Sequence, residues 1–110
     1  KIMRFFNIFG KSNEQKVIDK LNANNLGTMV SLLTQAKMLG SYSSFSQEEV
    51  KKECDMLKEK HSLKKGPANE SLNRFKWAKD ICEEYDFSNG AVLMQRYVNV
   101  YNMYLKDYCD

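Results

Sequence analysis

"NGAVLMQRYVNVYNMYLKDY", residues 89 to 108, shows no strand-like alternation; its apolar residues recur every three to four positions. At about 100° per residue, Tyr97, Tyr101, Tyr104 and Tyr108 fall within about 60° of one another, flanked by Leu93, Met94, Val100 and Leu105. Gln95, Asn99, Asn102 and Lys106 occupy the other side, as on the solvated face of an amphipathic helix. A long C-terminal helix is expected here. Phe87 and Ser88 ahead of it suggest a hydrophobic staple against Val92, with Gly90 in the first turn, where its helix penalty is mild.

Working back from that helix, each preceding segment also carries helical punctuation. Residues 67 to 86 open on Pro67, which suits a first turn because its missing amide proton has no helical partner there. Leu72, Phe75, Ala78, Cys82 and Tyr85 share one face, with Trp77 and Ile81 beside it. Residues 46 to 61 begin with a capping box, Ser46 and Glu49, and a staple between Phe45 and Val50. Val50, Cys54, Leu57 and His61 then form a stripe that ends before the "KKGP" turn at 64 to 67. Thr28 is expected to cap a helix over 28 to 39 with Met29, Leu32, Leu33, Ala36 and Leu39 on one stripe and Gly40 as its stop. Ser12 and Gln15 form another capping box for a helix over 12 to 24 with Val17, Ile18 and Leu21, interrupted by Asn24, Asn25 and Gly27. The expected fold is all-α: one compact domain of about five helices, antiparallel helical hairpins closed by the long C-terminal helix.

Size and composition agree with that. A chain of 110 residues supports one hydrophobic core, and 43% hydrophobic with 28% charged residues describes a globular protein rather than a disordered one. Cys54, Cys82 and Cys109 are odd in number and widely spaced, which argues against a disulfide framework and for a reducing compartment, so a cytoplasmic location is expected. The aromatic and basic opening "KIMRFFNIFGK", residues 1 to 11, is too short for the apolar core of a leader or for a membrane span. Interfacial membrane attachment through its phenylalanines, with Lys1, Arg4 and Lys11 near anionic headgroups, is the weakest of three functional readings.

Catalytic signatures are missing from the sequence. There is no phosphate-binding glycine loop, nucleophile elbow or His-rich metal motif. His61 is the sole histidine and lies two turns from Cys54, too far along the axis for both to grip one metal. It reads as a helix-end residue, while Cys54 and Cys82 read as core and Cys109 as a residue near the terminus. Asp80, Glu83 and Glu84 place carboxylates a turn apart, but such surface clusters are far commoner than acid–base pairs. A non-enzyme without metal or cofactor is expected.

Binding is the better-supported class. The tyrosine stripe has two readings: aromatic residues at helical spacing usually line a domain's own core, whereas tyrosines supply rigid, amphipathic contact area at interfaces. Charge is also segregated. Residues 51 to 79 hold nine Lys and Arg against four Asp and Glu, and residues 80 to 110 hold two against six. The first hypothesis is a non-catalytic protein that binds and occludes or scaffolds another protein, of the inhibitor, immunity or adaptor type. Tyr97, Tyr101, Tyr104 and Tyr108 would fill its pockets while Asp80, Glu83, Glu84 and Asp86 pair with its basic residues. The partner would be a toxin or enzyme that it neutralises, and self-association through the last helix is a further option. The second hypothesis is nucleic-acid binding through Lys64, Lys65, Arg74, Lys76, Trp77 and Lys79. A net charge of only +3 is weak for that role, because affinity for nucleic acid rests on several phosphate contacts.

Overall fold

Three of the helices in this protein end in the same left-handed turn, and those turns set its course. In the computed structural model, residues 10–42, 48, 51–52, 55 and 65–108 are described, the side chains of 65–68 and 107–108 excepted. Among the described residues the regular elements are four α-helices: α1 (Asn13–Ala23), α2 (Gly27–Met38), α3 (Lys65–Glu84) and α4 (Ser88–Tyr108). The all-α class is therefore correct, with four helices where about five were expected. The expected helix over 46 to 61, its capping box and staple, and His61 and Cys54 lie outside the described residues, apart from Glu48, Lys51, Lys52 and Asp55, which are helical. Residues 1 to 9 and Cys109 also lie outside.

The turns use a common hydrogen-bond pattern. Leu26 N–H donates to the Leu21 carbonyl at 2.8 Å, Ser41 N–H to Ala36 at 3.3 Å and Phe87 N–H to Cys82 at 2.8 Å. One residue earlier, Asn25, Gly40 and Asp86 take φ of 59°, 89° and 55° and donate to the carbonyls of Asn22, Lys37 and Glu83. These are Schellman motifs, which satisfy the last carbonyls of a helix and fold the chain back across its own end. Only Gly40 was legible as such a stop. Asn25 and Asp86 serve because short polar side chains tolerate the left-handed region better than most.

The helix starts differ more from expectation. Ser12 does cap α1, its Oγ accepting from Gln15 N–H at 3.1 Å, but the Gln15 amide turns forward to Asp19 Oδ1 at 3.0 Å instead of closing a capping box. Thr28 does not cap α2. The Schellman turn delivers the chain to Leu26, whose carbonyl receives Met29 and Val30 N–H, so the helix starts at Gly27 without a side-chain cap. Helix α3 is described from Lys65, two residues before the expected start, with Pro67 inside it. Helix α4 begins at Ser88, and its staple is corrected: Val92 is 50% exposed, while the Phe87 ring lies against Gly90 instead.

Packing follows the apolar stripes. Helices α3 and α4 make the largest contact, and α1 packs on both α2 and α3. Cys82 meets Gly90 while Phe75 meets Tyr97 and Tyr101, so α3 and α4 run antiparallel. Glu14 meets Lys37 across α1 and α2 in the same sense, with Asn22 near Gly27. One core results. It takes Val17 and Leu21 from α1, Met29, Leu33 and Ala36 from α2, Leu72, Phe75, Ala78, Ile81 and Cys82 from α3, and Leu93, Met94, Val98, Val100, Tyr104 and Leu105 from α4. Each buried Val, Leu, Ile, Phe or Met side chain among these stabilises the fold by about 1.5–3 kcal/mol relative to exposure. Leu39, expected on the α2 stripe, is 66% exposed because the helix ends before it.

Candidate interaction surface

The tyrosine stripe divides on packing. Tyr104 is 3% exposed and belongs to the core. Tyr97 and Tyr101 are half-buried, both against Phe75 of α3: Tyr97 is stacked at 4.9 Å with planes 10° apart, and Tyr101 is tilted by 35° at 5.1 Å. Offset ring pairs of this kind add about 0.5–1.5 kcal/mol beyond area burial. These tyrosines therefore form the seam between α3 and α4, with only the outer edges of Tyr97 and Tyr101 in reach of another molecule. The Tyr108 side chain lies outside the described residues.

The acidic group lies at the surface. Asp80, Glu83 and Glu84 are exposed on the last turns of α3, and Asp86 is exposed in the turn beyond. Their position is unfavourable for the helix itself, since the C-terminal end of a helix carries partial negative charge, and α3 has no basic residue in its last turn. Among the described residues one basic side chain answers them. Lys79 Nζ lies 2.8 Å from Glu83 Oε1, and that carboxylate holds the Lys79 ammonium proton more tightly than usual. The two charged groups read separately from the sequence thus meet at this pair.

The other basic candidates scatter. Arg74 and Lys76 are exposed on α3; the side chain of Lys65, like the whole of Lys64, lies outside the described residues. Trp77 is 46% exposed on the outer face of the same helix. Helical geometry places Glu70, Asn73, Arg74, Asp80 and Glu84 within about 60° of it, and all five are exposed. An aromatic ring thus stands on a helix face with three carboxylates and one guanidinium along it. Sequence adjacency sets Trp77 among basic residues, whereas helical phase gives it a mostly acidic neighbourhood.

Another polar cluster joins α1, α2, Tyr42 beyond α2, and α4. Glu14 of α1 accepts from Lys37 Nζ at 3.1 Å and from the Tyr42 hydroxyl at 2.9 Å. The Tyr42 ring meets Phe87 edge-on, centroids 5.6 Å apart, and its carbonyl accepts from Arg96 Nη1 at 3.2 Å. Burial and the Glu14 carboxylate push the Tyr42 hydroxyl up to about 12, so it remains a donor at neutral pH. Sequence reading missed this cluster because its members are 23 to 54 residues apart.

Among the described residues, no three His, Cys, Asp or Glu side chains gather as a metal ion would require, and no helix is long and apolar enough to cross a membrane. Cys82 is a buried free thiol, pushed up to about 12 by burial and then by Glu83, which leaves almost no thiolate to act as a nucleophile. Comparison with protein-family models, with curated proteins and with solved structures found no match.

Proposed function

We propose that this protein acts by binding another protein, without catalysis, through the outer face of α3, in the manner of an inhibitor or adaptor. The observation that carries this is Trp77, nearly half exposed, with Asp80 and Glu84 one and two turns further along the same face. A tryptophan ring set in a shallow pocket is the commonest kind of interface anchor, and carboxylates around it favour a partner with lysines or arginines at its rim. Asp86, exposed in the turn beyond α3, adds a further carboxylate near that helix end. The carboxylates weaken the helix end that carries them, which is expected of residues kept for recognition rather than for stability. The same carboxylates repel phosphates from Trp77, which sets nucleic acid behind a protein as the partner.

Affinity capture from source lysate, with and without nuclease, tests this against variants Trp77→Ala and Glu84→Lys. A stoichiometric protein that survives nuclease and is lost with Trp77→Ala is expected, with affinity reduced about thirty-fold, as for a hot-spot residue of about 2 kcal/mol. Capture indifferent to both substitutions rejects the surface. Nuclease-sensitive retention, accompanied by a Trp77 fluorescence change on adding oligonucleotide at low salt, would instead assign the function to Arg74, Lys76 and Trp77 as a nucleic-acid contact.

A further inference from the structure

Glu70, Trp77 and Glu84 stand seven residues apart on α3, two turns between neighbours, so each lies within about 20° of the next around the helix. All three are exposed, the indole by 46%. A carboxylate therefore stands about 10 Å to either side of Trp77 along the axis, and Asp80 adds a third about 4.5 Å from it toward the helix end. Among the described residues no hydrogen bond or ion pair engages Glu70, Asp80 or Glu84. Glu83 holds Lys79 Nζ at 2.8 Å, and Asp80 adds a weaker pull on the same ammonium. Arg74, one turn before Trp77, is the cation that shares the stripe, so three carboxylates stand there against one guanidinium.

Charge complementarity selects a cation for this stripe, and the indole selects a flat one. A guanidinium stacks on tryptophan, grips a carboxylate with its fork and gives up its water more readily than an ammonium does. Arg74 repels such a group on one side of Trp77 while Asp80 attracts it on the other, which directs the fork toward Asp80. The period of seven adds a second requirement. A helix laid along α3 returns to the same face every two turns, so its own residues seven apart fall opposite Glu70, Trp77 and Glu84.

We infer that this stripe receives a basic helix of another protein, aligned with α3. Its central arginine stacks on Trp77 with the fork on Asp80, and basic residues seven positions before and after that arginine meet Glu70 and Glu84. This partner chemistry rests on α3 being the binding surface.

The probe is a dye-labelled helical peptide of alanine and glutamine with arginines at three positions seven apart, compared with lysine and citrulline versions. Citrulline keeps the planar shape of arginine without its charge. By anisotropy the arginine peptide should bind the full-length protein with a dissociation constant of about 0.1 mM or tighter. It should bind about threefold more tightly than the lysine peptide and about tenfold more tightly than the citrulline one. Trp77, the only tryptophan in the chain, should change fluorescence along the same curve, and added salt should weaken it. Glu70→Gln combined with Glu84→Gln should weaken binding about tenfold while the thermal midpoint holds, since loss of Glu84 relieves the helix end. Failure of the arginine peptide to bind, equal binding of the citrulline peptide, or binding undiminished in Trp77→Ala overturns the inference. A lysate protein still captured through Trp77 would in those cases leave the α3 surface standing. Capture indifferent to Trp77→Ala removes the surface, and this partner with it.

Discussion

The Phe87 ring occupies the space that a side chain at Gly90 would need. A Cβ at Gly90 would fall 2.6 Å from two carbons of that ring and 2.9 Å from the sulfur of Cys82, closer than real atoms approach. The glycine is what allows α3 and α4 to meet at the turn. Phe87, folded back by the Schellman bond to Cys82, can then lie across the start of α4 and meet the Tyr42 ring in a T-shaped pair.

Gly90→Ala should therefore destabilise the protein by about 1–3 kcal/mol, the usual penalty of overpacking, although helix propensity alone predicts a gain of about 1 kcal/mol. Gly27→Ala is the matched control. Its nearest atom is the Asn22 side chain at 4.0 Å, so that substitution should stabilise by about 0.5 kcal/mol. Urea unfolding of both variants, followed by circular dichroism, checks the pair; two changes of the same sign would mean the Phe87 contact yields easily.

Phe75 and Tyr97 should be energetically coupled. Phe75→Ala is expected to cost about 3–5 kcal/mol, because Phe75 is buried and carries two aromatic contacts. In a double-mutant cycle with Tyr97→Ala the interaction energy should be about 0.5–1.5 kcal/mol. Strict additivity would show that the stacking of Tyr97 on Phe75 adds nothing to the α3–α4 seam.

Alkaline pH should unfold this protein through Cys82 first. The thiol ionises near 9.0 ordinarily and near about 12 in the fold, so the folded state holds its proton more tightly than the unfolded state does. Its stability contribution is complete below pH 9.0 and is lost as pH rises from there toward about 12. Tyr42, raised from 10.0 to about 12, adds the same sign of dependence at higher pH. Thermal midpoints measured across this range should begin to fall near pH 9 in the parent and about one unit later in Cys82→Ala. Identical onsets would remove Cys82 from the account.

What the sequence alone determined is the set of properties that depend on spacing along one helix. The stripe of α4, the caps at Ser12 and Gly40 and the core roles of Leu72, Phe75, Ala78 and Cys82 all follow from a 3.6-residue period and from backbone preferences. The helix starts at Gly27 and Ser88 were displaced because Schellman bonds from Leu26 and Phe87, which involve left-handed Asn25 and Asp86, hand the chain directly to the next helix. Neither residue announces that conformation as a glycine would.

Only the tertiary structure decided which face meets what. Periodicity placed the tyrosines on one stripe, but packing put Tyr104 inside and left Tyr97 and Tyr101, against Phe75, at the seam. Trp77 stayed outside for the complementary reason: the contact with α4 uses the face bearing Phe75, Ala78 and Cys82, and Trp77 points away from it. The Glu14, Lys37, Tyr42 and Arg96 cluster could not be seen at all, since an interaction across 23 to 54 residues leaves no local pattern in one chain. Helical phase is a property of neighbours in sequence, whereas burial and charge pairing are properties of neighbours in space, and the turns at Asn25, Gly40 and Asp86 convert the one into the other.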